Sequence, residues 1–378
     1  MPSVQCVLPG GWRETQQQRA NGQFRSVGTV VKATHSDEPQ FTDISPLVTE
    51  QTLLDLSVWT ELEARHQAAV DELTRGHVAR AAQHTAHPVE DFLFTYYTLR
   101  PAQLRRWHPG AGTALLDAGD RSGWRFHRTV DTGPLGGAIP GTGPVPGTGA
   151  TDTGRRTAVT ADPVAFLRDR GDTVRFVDRL LATTQTAPPQ FGCFGLHEWA
   201  MVYRAGDRRH TGYPLRLGPA GTDEVVEQHP IRCSHFDAFR FFTPEARPRN
   251  LLAPDRDSRD RMEQPGCLHA SMDLYKWAYR LLPIITSSTL LDCFRLARDI
   301  RAVDMRASPY DFSELGYAPI PIETPAGKSE YVAQQRGFAA RGQALRGRLR
   351  SELGAAFPQL RQDTGQAPVD EAATIAQG

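Results

Sequence analysis

Histidine and acidic residues stand close together at four places in this chain: His87 with Asp91, His197 with Glu198, His235 with Asp237, and His269 with Asp273. On a helix, side chains at positions i and i+4 lie on one face about one turn apart. Pairs with that spacing could meet across a helical bundle and hold a metal ion. Such pairs also form simple structural hydrogen bonds. The residues alone therefore leave open metal ligation, structural pairing, and catalysis or ligand binding without a metal.

The pair at His269 and Asp273 is followed by Lys276, so that all three side chains would line one helical face. A lysine beside an aspartate usually forms an ion pair, and we expect a solvated one here. A nucleophilic lysine that forms a Schiff base is the alternative.

The amino-acid composition is that of a globular protein with a hydrophobic core. Of its 378 residues 39% are hydrophobic and 23% are charged, and its formal net charge is zero. This balance gives no argument for nucleic-acid binding and none against a local basic groove. No run of apolar residues has the length of about 20 that spans a bilayer. The first residues lack the pattern of a secretory signal, so we expect a cytoplasmic protein without membrane contact.

The five cysteines are widely spaced and contain no CxxC pair. This pattern favours free thiols in a reducing compartment over a disulfide framework or a cysteine-based zinc site. The chain also lacks a Walker A loop, a GxGxxG motif after a strand, a GxSxG elbow and the zinc-deaminase signature. Common ATPases, dinucleotide oxidoreductases, α/β hydrolases and zinc deaminases are therefore disfavoured.

The periodicity of apolar residues predicts a mainly α fold: a single helical domain over 45–355 with a few short strands. Residues 1–44 and 356–378 are polar and aperiodic, which predicts disordered tails. Residues 131–155 form a long Gly/Pro-rich insertion of low complexity. We expect strands at 214–217 and 225–228. We expect helices at 46–84 with a break at Gly76, 87–99, 163–184, 196–203, 268–282, 287–305 and 328–353.

Five long segments of the chain resemble a bacterial family usually labelled 3-methyladenine DNA glycosylase, of the type without a helix-hairpin-helix element. They are HPVEDFLFTYYTLRPAQLRRWHPG, FGCFGLHEWAMVYR, PLRLGPAGTDEVVEQHPIRCSHFDAFRFFTPEA, EQPGCLHASMDLYKWAYRL and DMRASPYD with PIPIETPAGKSEYV. The resemblance covers roughly residues 47–350 apart from the insertion. It implies a DNA repair hydrolase that binds DNA and cleaves the N-glycosidic bond of alkylated adenine, with no metal or cofactor.

Such an enzyme must extrude the damaged base, grip it by stacking, and place a carboxylate where the sugar develops positive charge. The residues of suitable chemistry divide by role into carboxylates (Asp237, Asp273 and Glu198), stacking aromatics (Trp199, Phe236 and Tyr275), phosphate contacts (Arg240 and Arg306) and further substrate contacts (His235 and His269).

Two other functions fit the same residues. The first is a metal-dependent enzyme of the non-haem iron type that acts on a small molecule. It would hold iron or another divalent metal through some of six side chains: His87, Asp91, His197, His235, His269 and Asp273. The second is a helical interaction protein without catalytic activity, in which the histidine–acid pairs tie helices together.

Overall fold

Helices make up most of the chain that the structure, a computed structural model, describes: residues 51–132, 156–206 and 212–362. They are α1 (Leu56–Ala82), α2 (Phe92–Tyr96), α3 (Pro101–Arg105), α4 (Pro163–Thr186), α5 (Leu196–Ala200), α6 (Gly218–Gln228), α7 (Phe236–Phe239), α8 (Arg259–Met262), α9 (Leu268–Met272), α10 (Leu274–Arg280), α11 (Ser287–Arg306), α12 (Pro325–Ala356) and α13 (Gln359–Gln362). The predicted mainly α fold is confirmed. The tail at 1–44, residues 133–155 of the insertion, and 363–378 of the second tail lie outside the described residues.

Four short strands form one small sheet: β1 (Thr52–Leu54), β2 (Thr113–Leu116), β3 (His127–Asp131) and β4 (Thr157–Ala161). Their spatial order is β1-β2-β4-β3, and only the β1–β2 pair is parallel. In the register, Leu53 lies opposite Ala114, and Leu115 lies opposite Val159. The strands predicted at 214–217 and 225–228 are different segments, so the location of the sheet was not predicted.

The sheet is attached to α1 through a buried arginine. The Arg121 guanidinium lies 4.6 Å from the ring centroid of Trp59 and 4.8 Å from that of Trp124. It also pairs with Glu63 of α1 at 2.7 Å. The Trp59 indole donates a hydrogen bond to the Leu116 carbonyl at 2.9 Å. A buried charge is tolerated here because it is both paired and stacked on aromatic faces.

Helix α11 runs through the main core and packs against α9, α10 and α12. Its first turn is capped by the Thr286 hydroxyl, which accepts a hydrogen bond from the Thr289 amide. Helix α12 comes very close to α9, because a Cβ at Gly342 would lie 2.6 Å from the Ser271 hydroxyl oxygen. The absence of a side chain at Gly342 therefore sets the distance between α12 and the helix that carries His269.

The structure corrects several predicted boundaries. Helix α1 passes through Gly76 without a break, and the predicted strand at 225–228 lies in α6, where Pro219 occupies the first turn. The predicted helix at 268–282 is two helices that meet at Asp273. Helix α13 extends the packed chain past residue 355, and Phe357 is buried.

We expected His87 and Asp91 to share one face of a helix, but they do not. Helix α2 begins after both residues, and the Asp91 carboxylate accepts a hydrogen bond from the His87 backbone amide at 2.8 Å. Pro88 precedes a turn and does not start a helix. None of the described helices combines the length and the apolar character that crossing a membrane requires.

Candidate metal centre

Three helices bring four ligand-type side chains together in the interior. Helix α5 supplies His197 and Glu198, α9 supplies His269, and α11 supplies Asp304, with one nitrogen or oxygen of each within 4.8 Å of the others. The chain reaches α5 through a tight turn, in which Phe194 and Gly195 have φ of 49° and 72°. Gly195 suits this left-handed conformation because it has no Cβ to clash with the backbone. We name these four residues the first cluster.

Both histidines of the first cluster lie within 4.0 Å of Asp304, without well-aligned hydrogen bonds to it. His197 Nε2 lies 3.0 Å from Asp304 Oδ1, and His269 Nε2 lies 4.0 Å from Asp304 Oδ2. Within the described residues, His197 Nε2 and both oxygens of Asp304 have no hydrogen-bond partner of acceptable geometry. Buried polar atoms are rarely left in this state, and each such case calls for an explanation.

The spacing matches that of atoms bound to one ion. Nitrogen and oxygen ligands lie about 2.0–2.2 Å from a metal such as zinc. Two such ligands are then about 3.0 Å apart when they meet at a right angle and about 3.4 Å apart at the tetrahedral angle. The 3.0 Å between His197 and Asp304 fits this geometry. The 4.0 Å between His269 Nε2 and Asp304 Oδ2 is longer than this spacing.

Charge in the first cluster is incompletely balanced. The buried Arg301 guanidinium lies 3.3 Å from Glu198 and 3.5 Å from Asp304, and it stacks 3.7 Å from the centroid of the Phe92 ring. Two carboxylates thus face one fixed cation, which leaves one negative charge when the histidines are neutral. A proton on a histidine or a metal ion would supply the missing charge.

The pKa shifts reflect this imbalance. Burial by itself would lower the pKa of His197, but the Asp304 carboxylate outweighs it and raises that pKa well above its usual value. Burial, reinforced by the charge of His197, lowers the pKa of His269 well below its usual value. The two pKa values are therefore shifted in opposite directions: Asp304 favours the charged form of His197, whereas burial favours the neutral form of His269.

A narrow cavity reaches both histidines of the first cluster. Its volume is about 10 Å³, and the sulfur atom of one of its lining cysteines, Cys193, lies 3.6 Å from His197 Nδ1. Cys233 and Cys267 line the same space, and burial raises the pKa of both thiols. A space of this size admits water but not a nucleobase. All four cysteines in the described part of the chain are free thiols, as we predicted.

A second group of ligand-type side chains, His235, Glu263 and Asp273, adjoins the first; we name it the second cluster. Its ligand atoms also lie within 4.8 Å of one another, and all three residues are buried. His235 Nε2 is 3.4 Å from Asp273 and 3.6 Å from Glu263. The His235 ring stacks on that of His269, with 5.3 Å between centroids. The two clusters are therefore neighbours.

The second cluster is connected to the surface by charged side chains. Lys276 Nζ lies 2.5 Å from Asp273 and 3.4 Å from Asp237. The predicted ion pair is confirmed, but it is largely buried and not solvated. The Tyr97 hydroxyl donates to Asp273 at 2.6 Å. Burial would raise the pKa of Asp273, but Lys276 and then His235 outweigh it and lower that pKa well below its usual range. Burial raises the pKa of Glu263, whose charge the neighbouring cations offset only in part.

The structure separates the other predicted residues from these clusters. Asp91 is bound by Arg80 and His77, so His87 and Asp91 belong to neither cluster. Arg306 donates to the Ala318 carbonyl and to Glu330 and is tied to its own surroundings.

Two of the three predicted stacking aromatics, Trp199 and Tyr275, are fully buried in the core. Phe236 is only partly buried and lies in α7 beside Asp237. Arg240 ends that helix, with its Nε 3.5 Å from Asp237. Asp237, Phe236 and Arg240 thus share one location, at the outer edge of the second cluster.

Sequence reasoning did not assign two cluster residues, Asp304 and Glu263, or the neighbouring Arg301, to the site. A signal for Asp304 and Arg301 existed, since both fall on the buried face of α11 with Ala297 and Ile300. Charged residues in an apolar helical stripe are rarely buried unless they are paired or bind a metal. Glu263 directly follows the charge-rich run DRDSRDRM. Next to so many charged residues, one further glutamate does not stand out as a candidate ligand.

Comparison of the chain with protein-family models, with curated proteins and with solved structures found no match. The resemblance to the glycosylase family therefore stays a prediction, and the function has to be argued from the site itself.

Proposed function

We propose that the protein is a metal-dependent enzyme whose divalent ion is held by His197, His269 and Asp304, with Glu198 beside them. One observation carries this proposal: His197 and Asp304 place ligand atoms 3.0 Å apart in the interior, in a geometry that is poor for a hydrogen bond between them. Two imidazoles and one carboxylate form the donor set of non-haem Fe(II) sites and of many catalytic zinc sites.

The surroundings of the first cluster suit a catalytic ion. Cys193 faces the Nδ1 atom of His197 and fixes the orientation of the ring, which directs Nε2 toward Asp304. Arg301 holds Glu198 in place. The cavity beside His197 and His269 has room for about one water next to the cluster. A bound divalent ion would polarise a substrate oxygen or lower the pKa of a bound water.

Metal analysis tests this proposal directly. The full-length protein, purified without chelator and after anaerobic loading with Fe(II) or with Zn(II), should retain metal through dialysis. His197→Ala and Asp304→Asn should lose the ion of the first cluster. The control is His108→Phe, a change at a histidine that is equally buried but lies outside both clusters. Wild-type protein that is folded but retains no divalent metal under any loading condition would overturn the proposal.

The loss of a ligand also has a signature in stability. An ion that binds only the folded state adds RT ln(1 + [L]/Kd) to the free energy of unfolding. Zinc should therefore raise the melting temperature of the wild-type protein more than that of His197→Ala. Equal shifts in the two proteins would show that the metal binds elsewhere.

A further inference from the structure

The second cluster has the properties of a metal site of its own. His235, Glu263 and Asp273 are each at most 2% exposed. Both ring nitrogens of His235 and the Glu263 Oε1 atom have no hydrogen-bond partner in the part of the chain that the structure describes. A buried imidazole with two unpaired nitrogens is costly unless another group completes the site.

The distances favour an ion over a shared proton. A protonated imidazole that donates to a carboxylate lies about 2.7–2.9 Å from the acceptor oxygen. His235 Nε2 is instead 3.4 Å from Asp273 and 3.6 Å from Glu263. Ligands held at about 2.0–2.2 Å around a tetrahedral ion lie about 3.4 Å apart. The distances from His235 Nε2 to Asp273 and to Glu263 are both close to this spacing.

Glu263 has the weakest cation contacts among the acidic side chains around the second cluster. The carboxylates of Asp237, Glu263 and Asp273 are in contact with two largely buried cations, Lys276 and Arg259. Arg259 makes its short contact, at 2.8 Å, with Asp237 and lies 3.6 Å from Glu263. Arg240 adds a third cation, 3.5 Å from Asp237, so that three cations meet the three carboxylates, and Glu263 is the carboxylate with the longest cation contact.

We propose that His235, Glu263 and Asp273 bind a second divalent ion next to the first, so that the protein works as a two-ion enzyme. One imidazole and two carboxylates suit Zn(II) or Mn(II). Neighbouring ion pairs of this kind are typical of enzymes that activate water for hydrolysis. The inference rests on the proposed function, because His269 of the first cluster stacks on His235 and joins the two sites.

Calorimetric titration of the metal-free, full-length protein with Zn(II) and with Mn(II), followed by metal analysis after dialysis, tests this inference. We expect two ions per chain in the wild-type protein, one in His235→Ala and one in His197→Ala. Glu263→Gln provides a second route to the same result, since it keeps the shape of the side chain and removes its charge. His229→Gln, outside both clusters, is the matched control and should retain both ions.

Electron paramagnetic resonance of the Mn(II)-loaded protein adds a test of proximity. Two ions held by stacked, neighbouring histidines should broaden each other's spectrum, and His235→Ala should restore the spectrum of a single ion. If the wild-type protein binds one ion, and His235→Ala and Glu263→Gln both retain it, the second site is overturned and the first is left intact. One ion lost in both His235→Ala and His197→Ala would show a single shared site. Absence of any ion overturns the proposed function as well.

Discussion

Arg301 has two roles at the residue scale, because it neutralises part of the first cluster and repels an incoming cation. Its side chain is buried and lies against Glu198, Asp304 and the Phe92 ring. Removal of one partner from a buried ion pair typically costs about 3–5 kcal/mol, since the other charge is left without compensation. The same removal makes the cluster more negative and thus more attractive to a metal ion.

We therefore expect Arg301→Gln to lower the stability of the metal-free protein by several kcal/mol and to increase the stabilisation that zinc provides. Thermal denaturation with and without Zn(II) measures both effects. Arg306→Gln, at the end of the same helix, should change neither by much, because Arg306 pairs with the exposed Glu330 and donates to the Ala318 carbonyl at the surface, away from both clusters. A zinc effect no larger in Arg301→Gln than in the wild-type protein would contradict the placement of the ion.

His108 makes stability depend on pH. Burial, followed by the nearby charges of His127, Arg106 and Arg121, lowers the pKa of His108 to about 3. Because this pKa lies below the value of about 6.5 in the unfolded chain, the unfolded state binds the proton more readily between these two values. The contribution of His108 is therefore complete above pH 6.5 and is lost progressively as the pH falls toward 3.

The expected slope for this one group is about 1.4 kcal/mol per pH unit within that window. Urea denaturation at several pH values between 7 and 4 should show a steeper loss of stability in the wild-type protein than in His108→Phe, which cannot take up the proton. Parallel curves for the two proteins would mean that His108 does not titrate in this way.

At the scale of secondary-structure elements, the close contact between α12 and α9 sets the position of His269 in the first cluster. A methyl group at position 342 would lie 2.6 Å from the Ser271 hydroxyl, in the same helix as His269, and 3.2 Å from an Arg346 nitrogen. Gly342→Ala should therefore push the two helices apart, cost roughly 1–3 kcal/mol of stability and weaken metal binding through His269. Differential scanning fluorimetry and zinc titration measure these effects.

The same helix provides the control, because nothing lies within 4 Å of a Cβ at Gly337. Gly337→Ala should raise stability by up to about 1 kcal/mol, through the better helix propensity of alanine, and leave metal binding unchanged. If both substitutions act alike, the contact between α12 and α9 does not control the site.

Sequence patterns predicted the presence of long helices better than the ends of helices or the positions of short strands. The helix at 163–184 and the helix at 287–305 have clear starts at Pro163 and Thr286, and both are confirmed. The strands of the sheet have at most five residues, too few for a period of two to stand out, and they were missed. The break at Asp273 is also invisible in the sequence, because the periodicity continues across it.

The whole molecule decides which predicted residues meet. The motifs around His197, His235 and His269 lie far apart in the chain and converge only because α5, α7, α9 and α11 share one core. The spacing of residues within each motif could not show this convergence. That spacing also wrongly predicted a shared helical face for His87 and Asp91; the Asp91 carboxylate is instead bound by Arg80. Asp304 completes the first cluster from a helix that carries no histidine.

The resemblance to DNA glycosylases makes its own prediction for the whole molecule, and Asp237 is the residue to test. It is the most exposed of the three predicted catalytic carboxylates, at 14% of its side chain, and Arg240, Arg259 and Lys276 surround it as potential phosphate contacts. If the prediction holds, the protein releases free 3-methyladenine from alkylated DNA, and Asp237→Asn reduces the rate by at least about 100-fold, the usual contribution of a general base.

A chelator separates this prediction from the metal-dependent function, because hydrolysis of a cationic, damaged base needs no metal ion. Base release that persists in EDTA and disappears in Asp237→Asn would support the glycosylase. Release that requires Zn(II) or Mn(II) and is lost in His197→Ala would assign the chemistry to the metal clusters. No release by folded, metal-loaded protein would remove the glycosylase prediction and leave a small-molecule substrate for the two clusters.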